Sequence, residues 1–559
     1  MVAGNTLTQT LGMKRNASAR NTLLGGLLSA ALWADGGTAS GTLVIQIGQN
    51  FTGSTYGVNT FARPADGNGA AGPVHFVELI NGRFAVYNKS TGAPVQSTTD
   101  LGFWRNTGIT ISSALSVSDP RVVFDPASQR WFASAILYNP STLASNNFMV
   151  AVSSSADPTG PWHGVSLVAD TANGDLADFP TLGLDANGVY LSGNMFTPGP
   201  TGVPAGSALI SIPKADLLLI PPKATNATSF GILSYASRGA VLQPIFNPAG
   251  TSNATVLAVG SLGTDFAFHS ILNVSSIANA AGPGPAVLGT PATIPVTPYF
   301  VPINPPQPDP TADDLDDGDA RISAIVRQVG DVIYAVHDEE ANAHLDNTGF
   351  WTGQAAIRWY KINASNHSIM QSGTLSDPVI HYFFPSIAAN EDGTVVIGCN
   401  GSSTNSFVSS YAFVGETING VTTFGPPLLL EAGSASYKDT QASYGATRWG
   451  DYSATSVDPA DPTRFWTIQM VPSALQVYFT QITEVRAVKQ PVLALTLTAP
   501  NVTLSWPVTV ASFELQTATD LGSAATWATA SATYATNSGV VSATVPASTT
   551  PAFFRLRLQ

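Results

Sequence analysis

Four aspartates stand at the start of stretches with a common grammar. They are Asp119 in "SDPRVVFDPASQRWFASAI", Asp178 in "DFPTLGLDANGVYLSGNMF", Asp319 in "DARISAIVRQVGDVIYAVHDEE" and Asp451 in "RWGDYSATSVDPADPTRFWTIQM". Arg121 and Arg321 follow two of them closely; Arg448, Trp449 and Tyr452 surround the last. If such stretches are copies of one unit arranged in a ring, their first residues gather on one face. A ring of carboxylates there could bind a cation, and arginine beside aspartate could hold a carboxylate or a sugar. His75 is a weaker member of the same set. The competing structural role is local: an aspartate at a strand start commonly accepts backbone N–H groups of the adjoining turn, with the arginine paired to it.

Two other stretches carry dense ligating groups. "DPTADDLDDGDA" places Asp314, Asp316, Asp317 and Asp319 together. Aligned on Gly318 as an EF-hand loop, it puts Leu315 and Ala324 where oxygen ligands belong, so that motif is rejected. A looser calcium site from the four aspartates stands against a solvated acidic loop. "VHDEEANAH" brings together His337, Asp338, Glu339, Glu340 and His344, without zincin spacing, and reads as a surface loop. The single cysteine, Cys399, lies in the apolar "VVIGCNG", where a buried inert thiol is expected. No nucleophile elbow, phosphate-binding loop or dinucleotide fingerprint occurs, so no cofactor is required; calcium is the one candidate.

The elements that must position these residues are short strands. Apolar strand, Asp/Asn/Gly/Pro turn, second strand and third strand recur from about Val74, Asp119, Asp178, Ala240, Asp319, Tyr382 and Gly450. Such a unit cannot bury both faces alone, whereas a ring of units can. The fold class expected is all-β: a β-propeller of about seven blades over residues 40–488, with six or eight also compatible with the spacing. Trp131, Trp162, Trp359 and Trp466 follow turns and should pack between blades; Trp449 is placed at the channel mouth. The Pro-rich stretch 290–319 reads as an extended crossing into the unit at Asp319. After Val488 the pattern becomes an almost uncharged period-two alternation. Residues 491–559 are expected to form a small β-sandwich with Trp506, Phe513, Leu515, Trp527 and Phe554 in its core.

Residues 1–39 read as a signal-peptide-like segment: Lys14, Arg15 and Arg20 precede a short apolar run from Leu23 to Trp33. Later segments fall short of membrane-spanning length. The 559 residues carry 44% hydrophobic and 11% charged residues, with 50 Gly and 39 Pro, ample for a core and rich in turns. A net charge of -13 with no basic run excludes nucleic acid as partner.

The ordered motifs "VHFVELINGRFAVYNKSTG", "DPRVVFDPASQRWF", "DFPTLGLDANGVYLSGNMF" and "RWGDYSATSVDPADPTRFW" resemble a family of secreted bacterial β-propellers, over Gly72 to Val488. The tail, with "LSWP", "ELQTATDLG" and "FFRLRL", resembles a C-terminal β-sandwich module of exported proteins from Verrucomicrobia and relatives. These resemblances imply fold and export to the medium or the bacterial cell surface, and carry no activity. The function expected is non-catalytic: a monomer binding an extracellular glycan or protein ligand at the channel mouth, or a surface scaffold. The alternative is a glycoside hydrolase of the sialidase type, with Arg121, Arg321 and Arg448 on a substrate carboxylate and Tyr452 activated by Glu484. The Asp-box turns of sialidase propellers are lacking here. Three convergent arginines with a Tyr–Glu pair would favour the enzyme; isolated aspartate caps and an apolar, plugged channel would favour the binder or scaffold.

Overall fold

The computed structural model describes residues 43–199, 202–439, 442–443, 446–509, 512–521, 525–547 and 552–559. The signal-peptide-like segment lies outside the described residues. Two compact units divide between Val488 and Lys489.

Within Leu43–Val488, seven antiparallel sheets of four or five strands follow one another among the described residues. Their innermost strands are Gly69–Ala71, Ser116–Asp125, Leu176–Leu184, Ala240–Pro244, Arg327–Val329, His381–Ala389 and Ala454–Val457. Alternation within the strands gives each sheet two apolar faces, and each face is buried against a neighbour. Phe84 and Trp104 of the first sheet region meet Phe124 and Trp131 of the second; Phe132 and Val150 meet Leu182 and Leu191 of the third. Tyr190 and Leu209 then meet Leu242 and Val256, Leu257 and Val259 meet Ile333 and Tyr360, and Tyr334 and Trp359 meet Tyr382 and Ile397. Ala388 and Val396 meet Phe465 and Val485 of the last sheet, and Trp466 and Ile468 return to Phe76 and Tyr87 of the first. This closed succession of face-to-face sheets is a β-propeller.

Hydrogen bonds between the first strand and the last sheet also close the ring. Strand Leu43–Thr55 forms the outer edge of the last sheet, beside Val477–Lys489, and the N–H of Tyr56 donates to Tyr478 O at 2.9 Å. The sequence reading starts its first unit at Val74, one strand late: His75–Ile80 is the second strand of its sheet, and Gly69–Ala71 is the innermost. The Pro-rich stretch is only partly a crossing. Ala292–Tyr299 pairs with His269–Ala278, and its prolines are accommodated because it lies at an edge. "VHDEEANAH" is no surface loop. It lies in strand Val332–Leu345, where His337, Asp338, Glu339 and Glu340 are buried.

Buried charges tie neighbouring sheets together. Lys214 reaches Asp125 at 2.7 Å with both side chains at most 4% exposed, and Lys89 reaches Asp458 at 2.6 Å. Lys361, also buried, donates to Gly420 O and Thr422 Oγ1.

The second unit contains sheets of four strands (Ala494–Thr498, Asn501–Pro507, Val540–Pro546, Thr533–Asn537) and three strands (Ala528–Thr529, Phe513–Ala518, Phe553–Leu558). Leu504 and Trp506 of one share a buried cluster with Leu515 and Leu556 of the other. Phe513 and Phe554 pack at its margin. Trp527 is not in that core: it is half-buried, with the Arg555 guanidinium 4.2 Å from its ring centroid.

Candidate functional site

The inner strands do not start regularly. Register shifts interrupt their pairing between Ser118 and Arg121, Asp178 and Thr181, Ala240 and Gln243, and Phe383 and Ser386. At each shift one residue adopts the left-handed region: Asp119 (φ 57), Phe179 (φ 51), Val241 (φ 58) and Phe384 (φ 47). For a bulky or β-branched residue this is strained, and it recurs at equivalent places in four sheets. Proline follows at 120, 180 and 385, where the bulge leaves no ladder bond to donate. Phe179 and Val241, from two of these bulges, meet Tyr452, which lies just ahead of the last inner strand Ala454–Val457, in one buried cluster.

Around that cluster the candidate residues assemble unequally. Arg121 is 1% exposed and spans the channel, donating through Nε to Pro180 O and through Nη1 to Ser323 O, both at 3.0 Å. Its Cζ lies 3.4 Å from the Tyr452 ring centroid, and the Tyr452 hydroxyl donates to Pro120 O at 3.1 Å. Arg321 forks onto Asp319 at 2.8 and 2.7 Å. Arg448 forks onto Asp451 at 2.6 and 2.8 Å, with Asp316 at 3.6 Å. Asp119 accepts from Ser118 Oγ and from the Phe179 N–H. Asp66, missed by the sequence reading, belongs to the same network. It accepts from Asn81 Nδ2 at 2.9 Å and from the Asp451 N–H at 3.1 Å, while Asn81 Oδ1 accepts the Asp119 N–H. The available signal was its Asp-Gly turn just ahead of the first inner strand.

Several expected members lie elsewhere. Trp449 is fully buried, donating to Asn400 Oδ1, so it offers no face at a mouth. His75 starts a second strand and faces Asp157. Glu484 is on the last sheet's third strand, engaged by Arg464, Arg486 and the Gln49 N–H. The Tyr452–Glu484 pair of a sialidase-type mechanism is therefore not formed. The calcium quartet also divides. Asp316 and Asp319 face arginines, Asp317 is buried with neither carboxylate oxygen hydrogen-bonded, and Asp314 is exposed. Among the described residues no three His, Cys, Asp or Glu side chains form a metal-holding group. Cys399 is buried and its thiol is pushed up by burial, as expected of an inert cysteine.

Six carboxylates (Asp66, Asp119, Asp178, Asp316, Asp319, Asp451) thus surround three guanidiniums, and the excess shows in their protonation. Burial, then the charges of Asp119 and Asp451, push Asp178 up to about 7. Burial is likewise the first cause for Asp66, held well above the carboxylate range, and for Asp119. A carboxyl whose folded-state pKa exceeds its unfolded value binds more protons when folded, so stability falls as pH rises through that window. The buried His337 and the half-buried His381, lowered to about 4 by burial, act oppositely between pH 4 and 6.5 but are neutral in both states above it. Between pH 6.5 and 8 the melting temperature of this unit is therefore expected to fall. For Asp178 the shift from 3.8 to about 7 caps the whole fall, most of which lies below pH 7, at about 4 kcal/mol and leaves about 1 kcal/mol or less for the interval from 6.5 to 8, both reduced by solvent screening of a side chain that is only partly buried. Asp178→Asn should make the slope of melting temperature against pH shallower; an unchanged slope would remove Asp178 from the account.

No family model and no curated protein matches the chain. Among solved structures it is similar to the WD40 domain of Toxoplasma gondii coronin, at 8% identity, covering 80% of this chain and 87% of that one with a TM-score of 0.36. An α-L-arabinanase from Penicillium chrysogenum shares 12% identity over 65% of this chain and 92% of that one, TM-score 0.33. Trypanosoma rangeli sialidase shares 8% over 78% and 60%, TM-score 0.32. At such scores the likenesses carry no functional weight; the propeller assignment stands on the sheet succession and its closure.

Proposed function

We propose that the protein is an exported, non-catalytic β-propeller of seven blades with a C-terminal β-sandwich module, acting as a monomer that binds a neutral glycan on the face bearing Asp178, Asp451, Arg321 and Arg448. One observation carries this reading. The arginines of the site are largely engaged by the protein, Arg321 by Asp319, Arg448 by Asp451 and Arg121, through Nε and Nη1, by backbone carbonyls beneath Tyr452, its Nη2 being buried without a hydrogen-bond partner. What remains in surplus is acceptors, which suit hydroxyl donors rather than a substrate carboxylate. The partly exposed Arg321–Asp319 and Arg448–Asp451 pairs supply fixed forks of both donors and acceptors to such a ligand. Export rests on the leader-like residues 1–39 and on the two family resemblances.

The test is calorimetric titration of the full chain with a panel of neutral and acidic oligosaccharides. A neutral oligosaccharide should bind, and Asp178→Ala and Asp451→Asn should each weaken it at least about tenfold, the scale of one lost charge-assisted hydrogen bond. Preference for sialylated or uronic sugars, or indifference to both substitutions, would overturn the reading. A hydrolytic role draws on one specific feature, the carboxyl of Asp178 held near neutrality beside Asp451. It requires turnover of 4-nitrophenyl glycosides that Asp178→Asn abolishes.

A further inference from the structure

The other end of the channel holds a cavity of different chemistry from the aspartate-bearing face. The inner strands run in one direction: Leu184 bridges Phe246, and Phe246 bridges Arg327, in parallel pairs. Their starts carry the aspartates, so their far ends gather on the opposite face. There a cavity of about 530 Å³ is lined by Val123, Phe124, Phe246, Val329 and Val457, with Arg327 among them. That volume lies within the range of about 300–1,000 Å³ typical of small-molecule sites, and its walls are mostly apolar, as such sites are.

Among the described residues, Arg327 is the one cation of the lining that faces the apolar wall. Its Nη2 donates to Thr455 O at 3.1 Å, tying the fifth inner strand to the last, and its Cζ lies 4.9 Å from the Phe246 ring centroid. Its Nε is buried with no hydrogen-bond partner, and among the described residues no carboxylate forms an ion pair with it. Burial alone lowers this guanidinium to about 10. The residue as a whole is half-buried; a partly desolvated cation without a counter-charge is still costly, and this chain has acidic groups in excess that could have supplied one. Of the acids in the lining, Asp458 is itself occupied by Lys89 at 2.6 Å and by Trp466 Nε1 at 3.0 Å. Glu391 and Asp392 stand on an exposed turn at the rim, where they disfavour ligands of higher negative charge.

We propose that this cavity is a second binding site, for a small monocarboxylate with an apolar body, in which the ligand carboxylate meets Arg327 and the aryl or alkyl part fills the space between Phe246, Val329 and Val457. The site is independent of the glycan face. The ligand supplies the missing counter-charge, and the apolar wall excludes water from the pair.

The experiment uses the full chain, with 2-naphthoate and its neutral counterpart 2-naphthamide as probes, followed by probe fluorescence and calorimetry. Naphthoate should bind saturably and at least tenfold tighter than naphthamide. Arg327→Gln should abolish that preference, and Asp178→Asn should leave it intact. Because Arg327→Gln also cuts the tie to Thr455, Val329→Trp, which fills the cavity without removing the guanidinium, provides a second arm and should prevent binding. Equal binding of the two probes, no binding of naphthoate, or undiminished binding in Val329→Trp would each overturn the proposal.

Discussion

A chain shortened through Thr55 is expected to lose the cooperative unfolding transition of the propeller unit. The missing strand, Leu43–Thr55, is the outer edge of the last sheet, and it also carries donors for two buried carboxylates. Glu78 accepts from the Ser54 hydroxyl at 2.7 Å and the Ser54 N–H at 3.2 Å, together with the Tyr87 hydroxyl and Thr480 Oγ1. Glu484 accepts from the Gln49 N–H at 3.0 Å. Each of the three hydrogen bonds to a charged group that are lost costs about 1.5–3 kcal/mol, and a domain has only about 5–15 kcal/mol in total. Leu43, Ile45 and Phe51 also leave the clusters that join the last sheet to its two neighbours. Differential scanning calorimetry should show no sharp transition for the shortened unit, and a synthetic peptide of Leu43–Thr55 should restore one. A transition retained within a few degrees of the full chain would mean that the ring does not depend on this strand. Ser54→Ala offers a graded check, with a loss of about 1.5–3 kcal/mol expected for one hydrogen bond to a charged group.

Arg121→Met should destabilise the same unit by about 3–5 kcal/mol, the scale for removing one member of a buried charged network. The substitution keeps much of the volume but orphans two carbonyls, Pro180 O and Ser323 O, and removes the stack on Tyr452. It also deletes a positive charge that Asp119 feels directly. The fall in stability between pH 6.5 and 8 should therefore steepen in the variant. Urea unfolding at the two pH values reads both effects. A loss below about 1 kcal/mol would show that water replaces the guanidinium without penalty, and the channel would then be wet rather than plugged. Arg121→Lys should not rescue, because an ammonium cannot reproduce the planar fork that reaches two strands.

How much of this was legible beforehand depended on range. The strand–turn–strand grammar is local, and it placed the inner strands at Ser116, Leu176, Ala240 and His381 within a few residues. The alternation after Val488 likewise placed Trp506 and Leu515 in a core. What failed was decided by partners hundreds of residues away. Leu43–Thr55 has no turn linking it to the strand it pairs with, so its role is invisible until the ring closes. "VHDEEANAH" looked solvated because five of its residues ionise, yet Arg358 on the neighbouring strand pairs with Glu339 at 2.8 Å, and Tyr360 lies 3.0 Å from His337 Nε2. Of the channel set, Asp119, Arg121 and Tyr452 were correctly brought together; that Arg121 would lie beneath the others, spending its donors on backbone, could not be read from spacing. Trp449 was misplaced for the same reason, since its neighbours Tyr437 and Asn400 come from separate segments.

The buried lysines have a consequence for the life of such a chain among proteases. Only seven lysines occur in 559 residues, and Lys89, Lys214 and Lys361 are each sealed between sheets. Arg121 and Arg358 are buried as well. A trypsin-like enzyme needs its target residue extended and accessible in a mobile segment, so these five bonds become cleavable only after a sheet has left the ring. Digestion at those positions should then report the opening of the propeller rather than the motion of its loops. Resistance to nicking is here a by-product of using scarce cations as struts.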